Sequence, residues 1–176
     1  MNPIIASRWS ELHLAKLEIL DFLNSWSDAE LLHRPGTGWS AMQVLEHIFA
    51  SETGTLGYMR KKSSSGWEAL ELTGEDQVKA STALNLRLQS SERFAAPDVL
   101  APPPGDTGFS QLVSAWDGLR IDMYHFFDEI QPVFYDRLVF RQPNAGMLNV
   151  IQTIEFLSNH IRHHIPQLER IKSSLL

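Results

Sequence analysis

Apolar residues recur at helical spacing in four long stretches, and this pattern constrains the fold more than any other feature of the sequence. The stretches cover residues 4–26, 40–62, 111–130 and 149–173. Spacings of three and four residues place the apolar side chains along one side of each helix. A fifth stretch, 77–94, is only weakly amphipathic, and no stretch alternates apolar and polar residues as a strand would. The sequence therefore predicts an all-α protein, a four-helix bundle with a weaker additional helix.

The starts of two helices can be read directly from capping residues. Ser40 can accept a hydrogen bond from a free backbone N–H, and Gln43, three residues later, completes a capping box. Asn149 and Gln152 offer the same pair at the start of the last helix. Both helices are therefore expected to begin directly after these caps.

Two connections are long for a simple up-and-down bundle, whose helices are usually joined by about two to eight residues. The segments 97–108 and 131–148 contain prolines and glycines that interrupt regular structure. We therefore expect them to be crossover loops at the bundle ends. Pro166 lies inside the last helix, where its missing N–H predicts a kink.

Composition excludes several classes of function. The 176 residues, 43% of them hydrophobic, suit one domain spanning residues 1–176. A net charge of −6 argues against nucleic acid or an anionic membrane as partner, since both need a concentrated basic face. No run of about 18 apolar residues could span a bilayer, and the charged first helix does not resemble a signal peptide, so a cytoplasmic protein is expected. The absence of cysteine excludes disulfides, thiolate zinc ligands and a cysteine nucleophile.

Two of the seven histidines, His160 and His164, lie four residues apart in the last predicted helix. About 3.6 residues make one helical turn, so both side chains project from one face, one turn apart. This face also carries apolar residues, namely Leu157, Ile161 and Leu168. Because an unpaired buried imidazole costs free energy, a metal ion that binds both rings is one way to satisfy them. The spacing alone leaves a second interpretation open, an ordinary pair of surface histidines.

His47 lies in the second predicted helix, on a face that is also largely apolar. If it met His160 and His164, three imidazoles would form an open ligand set like that of catalytic zinc sites, but the spacing does not establish that the helices are neighbours. His163 points about 100° away from His164 around the helix, so we expect it at the rim rather than among the ligands. Surface or hydrogen-bonded roles are expected for the other three, which lack a partner at ligand spacing: His13, His33 and His125.

Two motifs resemble the DinB/YfiT-like superfamily. One is Gly38-Trp39-Ser40 followed by Val44-Leu45-Glu46-His47-Ile48, and the other is the stretch from Asn159 to Leu168 with its paired histidines. The resemblance implies a four-helix bundle that binds one divalent metal ion, usually nickel or zinc, through three histidines from two helices. At the matching positions these are His47, His160 and His164. Family members are often dimers, so the resemblance also implies a homodimer.

The resemblance further implies an enzyme acting on a small-molecule substrate. The leading expectation is a transferase that joins a low-molecular-weight thiol to an electrophile, with the metal polarising the reactive centre. One alternative is a hydrolase that uses a water activated by the metal, with Glu46, Glu52 or Glu155 as the candidate general base. Another alternative is a bundle that binds a metal or a small molecule without catalysis. A di-iron carboxylate bundle is disfavoured because its Glu-x-x-His motif occurs only once, at Glu30 and His33.

Overall fold

A computed structural model describes residues 2–90 and 103–175, and most of them are helical. The helices are α1 (Pro3–Leu23), α2 (Asp28–Leu32), α3 (Ala41–Ser63), α4 (Glu75–Gln89), α5 (Phe109–Glu129), α6 (Val150–His163) and α7 (Ile165–Ser173). Two short antiparallel strands, β1 (Leu138–Gln142) and β2 (Gly146–Asn149), form a hairpin before α6. The predicted helical bundle is therefore confirmed. No helix in the described ranges combines the length and the apolar character needed to cross a membrane.

Helices α1, α3, α5 and α6 share one apolar core. Each contributes side chains that are almost fully buried, including Leu12, Ile19, Leu45, Ile48, Trp116, Met123, Phe127, Ile154 and Leu157. Burial of such a side chain contributes about 1.5–3 kcal/mol to the free energy of folding. The shared core is therefore the main source of stability for the packing of the four helices. Helix α4 packs against α6 through a smaller apolar face that includes Leu84 and Leu88.

The two predicted capping boxes are present. Ser40 Oγ accepts from the backbone N–H of Gln43 at 3.2 Å, and Gln43 Oε1 accepts from the N–H of Ser40 at 3.0 Å. Asn149 and Gln152 make the equivalent pair of bonds, at 2.9 and 3.1 Å. These caps fix the first turns of α3, which carries His47, and of α6, which carries His160.

The first helix is shorter than predicted. It ends at Leu23 rather than near residue 26, and a separate short helix, α2, follows. Ser27 caps α2 with a capping box, in which the Glu30 carboxylate accepts from the Ser27 N–H at 2.7 Å. Trp26 nevertheless remains buried in the core, which explains why the apolar periodicity continued past the true end of α1. For the weaker helix predicted at 77–94, the structure shows Glu75–Gln89, and residues 91–94 lie outside the described residues, as does the start of the loop at 97–108.

The segment 131–148, predicted as a crossover loop, contains a short 3₁₀ turn at Pro132–Phe134 and most of the β hairpin. Three successive residues of β1, Leu138, Val139 and Phe140, are all buried, so the strand lacks the alternation that identifies a half-exposed strand. Phe140 stacks on Phe156 of α6 at a centroid distance of 6.0 Å. The hairpin therefore packs against the helix that carries the histidine pair.

The last predicted helix is divided at His164. His164 ends α6 with φ −85° and ψ −14°, and α7 begins at the next residue. Pro166 is the second residue of α7, a position where its missing N–H leaves no helical hydrogen bond unmade. The proline therefore lies in the first turn of a new helix, which is why it is tolerated here.

Candidate metal centre

The bundle brings His47, His160 and His164 together, and we refer to them as the histidine cluster. His160 Nε2 lies 3.2 Å from the Nε2 atoms of both His47 and His164. One ring nitrogen from each residue lies within 4.8 Å of the other two. His47 comes from α3, whereas His160 and the junction residue His164 come from the end of α6. The structure thus places the three predicted ligands at one point between two helices.

Burial holds the cluster in its neutral form. It lowers the pKa of His47, and it lowers the pKa of His160 well below the usual 6.5, with further effects from His164 and the other neighbouring imidazoles. Burial, followed by the proximity of His47, lowers the pKa of His164 to about 3. At neutral pH all three rings are therefore uncharged, which is the form that binds a metal ion.

The distances fit a divalent ion. A tetrahedral zinc site with bonds of about 2.0–2.1 Å places neighbouring ligand nitrogens about 3.4 Å apart, close to the 3.2 Å measured here. A neutral imidazole carries a single N–H. His160 Nε2 can therefore donate a hydrogen bond to at most one of the two neighbouring Nε2 atoms. Three imidazoles without a thiolate are a donor set that suits zinc, nickel, copper and iron. The residues present therefore fit the divalent metal ion that the family resemblance implies.

The His164 ring is held by a hydrogen bond at Nδ1, the ring nitrogen that points away from the cluster. His164 Nδ1 lies 2.9 Å from Gln167 Oε1 in the first turn of α7. An amide oxygen only accepts, so the contact has Nδ1–H as its donor, and Nε2 keeps its lone pair for the cluster.

The other two rings are oriented by aromatic contacts. His160 stacks on Phe156, one turn earlier in α6, with a centroid distance of 5.5 Å and an angle of 19°. Its buried Nδ1 has no hydrogen-bond partner in the described structure. Trp39, directly before the Ser40 cap, packs edge-on against His47 at 5.3 Å. Aromatic side chains therefore flank the cluster from the α3 side and the α6 side.

Glu46, one candidate general base, has a structural role. Its carboxylate accepts from the backbone N–H groups of Gly105 at 2.7 Å and Thr107 at 3.0 Å. Gln43 adds a bond from its amide to the carbonyl of Pro103 at 2.7 Å. Together these bonds hold the segment 103–107 against the first turns of α3, beside the helix face that carries His47.

The other two candidate bases also lie away from the cluster. Glu52 is fully buried and forms two bonds with the guanidinium of Arg120, at 2.7 and 3.0 Å, on the α5 side of α3. Burial raises the pKa of this carboxyl, and the charge of Arg120 opposes the shift. Glu155 lies about 140° around α6 from His160. None of the three carboxylates hydrogen-bonds a cluster histidine within the described residues.

The remaining predictions concern histidines outside the cluster. His163 Nδ1 donates to the carbonyl of Leu88 at 2.9 Å, so His163 ties α6 to the end of α4. His33 Nε2 lies 3.1 Å from Ser174 Oγ near the end of α7. The contact of His33 agrees with the surface or hydrogen-bonded role expected for it, and His163 is not one of the three grouped nitrogens, as expected. The contributions of Gln167 and Phe156 were not predicted, although their spacings of three and four residues from cluster histidines could have indicated them.

Comparison with known proteins agrees with this architecture. The family model of the DinB superfamily matches residues 11–168. No curated protein matches the sequence. A similar solved structure is that of YfiT from Bacillus subtilis, a probable metal-dependent hydrolase with an unusual four-helix bundle topology. It aligns with a TM-score of 0.59 at 12% identity, over 99% of this chain and 90% of that one. The fold and the family match lead to one conclusion: the chain belongs to the DinB superfamily.

Proposed function

We propose that this protein is a metal-dependent enzyme in which His47, His160 and His164 hold one divalent ion, nickel or zinc. The observation that carries the proposal is the convergence of three neutral imidazoles, His47 and His164 buried and His160 partly buried, with two Nε2–Nε2 distances of 3.2 Å. An ion held by these nitrogens supplies Lewis-acid chemistry that makes a thiol or a water molecule a better nucleophile. The substrate is a small electrophilic molecule.

The chain's own residues prepare the site in two ways. The three histidines leave coordination positions open to reactants, because three ligands do not complete the shell of a zinc or nickel ion. Trp39 and Phe156 flank the cluster with apolar surface, which limits the access of water and strengthens electrostatic interactions inside.

We propose a low-molecular-weight thiol as the nucleophile. The thiol would lose its S–H proton to solvent, its sulfur would form a bond to an electrophilic carbon of the second substrate, and the bond from that carbon to its leaving group would break. The leaving group would depart with the electron pair of that bond. A thiol with an ordinary pKa of about 8.5 needs a much smaller shift than water at about 15.7. It therefore depends less on a general base, and none of the candidate bases Glu46, Glu52 and Glu155 hydrogen-bonds the cluster within the described residues. The thiol must come from solution, since the chain contains no cysteine.

A second candidate function is hydrolysis, with water as the nucleophile. It is favoured by the similarity to YfiT, a probable metal-dependent hydrolase. At 12% identity that similarity concerns the fold, so the reaction has to be tested directly.

The deciding experiment measures turnover by metal-loaded protein with a panel of thiols and electrophiles. We expect product to form only when both metal and thiol are present, and His47→Ala to abolish it. The His13→Ala variant, at an exposed position on α1, is the matched control and should keep full activity. Turnover without added thiol would support the hydrolase instead. If metal-loaded protein turns over neither kind of substrate, the enzymatic proposal is wrong and a metal-binding role remains.

A further inference from the structure

Gln167 contacts the histidine cluster from outside. It is the third residue of α7, half-buried, and its Oε1 lies 2.9 Å from His164 Nδ1. Its own backbone N–H donates to the carbonyl of His164 at 3.0 Å. Gln167 is thus joined to His164 through both main chain and side chain.

The division between α6 and α7 creates this arrangement. The chain turns at His164, and Pro166 fixes its own φ near −65° in the turn that follows. Side chains three residues apart in a helical turn lie next to each other, so Gln167 is directed at the imidazole of His164. The break between α6 and α7, close to where the sequence predicts a kink, therefore has a consequence at the cluster.

The contact determines which nitrogen of His164 carries the proton. A neutral imidazole has one N–H and one lone pair, and an amide oxygen can only accept. Gln167 Oε1 therefore favours the tautomer with the proton on Nδ1 and the lone pair on Nε2. That Nε2 faces His160 Nε2 at 3.2 Å, inside the cluster.

His160 has no such partner. Its Nδ1 is buried and makes no hydrogen bond within the described structure, and stacking on Phe156 orients the ring without selecting a tautomer. In the described structure, a side-chain hydrogen bond therefore selects the metal-binding nitrogen of His164 but not that of His160.

We propose that Gln167 is a positioning residue that fixes the proton of His164 on Nδ1 and so keeps Nε2 free to bind the metal. The consequence for metal affinity rests on the proposed function, whereas the tautomer itself is a property of the metal-free protein.

The first test measures zinc affinity by competition with a chromophoric chelator. Gln167→Leu removes the acceptor at similar volume, and we expect it to weaken zinc binding about 10–100-fold, as is usual for the loss of such a partner. Gln167→Glu supplies a carboxylate acceptor at the same place and should bind zinc nearly as tightly as the wild type. Gln111→Leu, at an exposed glutamine of α5, is the matched control and should have no effect. Unchanged zinc affinity in folded Gln167→Leu protein would overturn the proposal.

The second test reads the tautomer directly by nitrogen NMR of the metal-free protein. The wild-type protein and Gln167→Glu should show His164 protonated on Nδ1, whereas Gln167→Leu should show the proton partly or wholly on Nε2. Wild-type protein with the His164 proton on Nε2 would contradict the proposal, and this measurement needs no folded variant. If the wild type binds no zinc, the proposed function fails, but the tautomer still decides the role of Gln167.

Discussion

At the scale of single residues, the histidine cluster could be predicted only in part. The spacing of His160 and His164 was enough to place both on one helix face. His47 is 113 residues away from His160 in the chain, so its position next to them followed from the family resemblance rather than from periodicity. Gln167 was not predicted, although its spacing of three residues from His164 could have indicated the contact.

The lowered pKa values of the buried histidines predict how stability depends on pH in metal-free protein. Histidine in the unfolded chain titrates near pH 6.5, whereas folded His164 has a pKa of about 3 and His160 one well below 6.5. The unfolded state therefore binds protons that the folded state does not, so this contribution to stability is fully present above about pH 6.5 and is lost as pH falls toward 3. The free energy of unfolding should fall by up to about 1.4 kcal/mol per pH unit for each such histidine.

The measurement is urea denaturation of chelator-treated protein between about pH 7 and pH 4. Carboxylates also titrate at the acidic end, so the slope is compared with that of His164→Asn, which should be shallower. The exposed His13→Asn variant should keep the wild-type slope. Identical slopes for the wild type and His164→Asn would contradict the assigned pKa of His164.

The buried ion pair of Glu52 and Arg120 predicts a large effect on stability without an effect on the cluster. The Glu52 carboxylate also accepts from the indole N–H of Trp116 at 2.8 Å. Removal of the guanidinium leaves a carboxylate buried without its counter-charge, so Arg120→Leu should lower the free energy of unfolding by about 3–5 kcal/mol. The control is Lys79→Ala, which breaks the exposed pair with Glu75 and should cost less than about 1 kcal/mol. Urea denaturation of both variants is the measurement, and equal small losses would contradict this account.

At the scale of elements, the two capped helix starts were predicted correctly, whereas the end of α1 was misplaced by three residues. The caps at Ser40 and Asn149 are local, since three residues suffice to form each box. The end of α1 was misplaced because Trp26 continues the apolar pattern, although Ser27 and Glu30 already form a capping box in the sequence. The hairpin was missed for another reason: both faces of β1 are covered, which leaves no alternation to detect.

The segment 103–107 offers a test of how an element is held on α3. Gly105 has φ +73°, and a Cβ atom at this residue would lie 2.6 Å from Gln43 Cγ. Gly105→Ala should therefore lower the free energy of unfolding by about 1–2 kcal/mol or more, through backbone strain and the displacement of Gln43.

Gly118→Ala is the matched control for that substitution. Gly118 is exposed within α5 and a Cβ atom there meets nothing within 4 Å, so alanine should raise the free energy of unfolding by up to about 1 kcal/mol. Thermal or urea denaturation measures both variants. A stabilising Gly105→Ala substitution would show that the segment is not held against Gln43 as described.

At the scale of the whole molecule, the bundle follows from amphipathic periodicity and the site follows from how the bundle is assembled. The four long apolar faces required four helices around one core, and the structure has them. YfiT has a similar fold at 12% identity, so this fold occurs with a very different sequence. The neighbouring placement of α3 and α6 is a property of the assembled core, and spacing within either helix could not reveal it.

The most direct test of the account is the metal content of purified protein. Wild-type protein prepared without chelator should carry one divalent ion per chain by elemental analysis, and the His160→Ala, His164→Ala double variant should carry almost none. The His13→Ala protein, altered at an exposed histidine, should retain the ion. The central claim is contradicted if the wild type holds no stoichiometric metal, or if the double variant keeps its full complement.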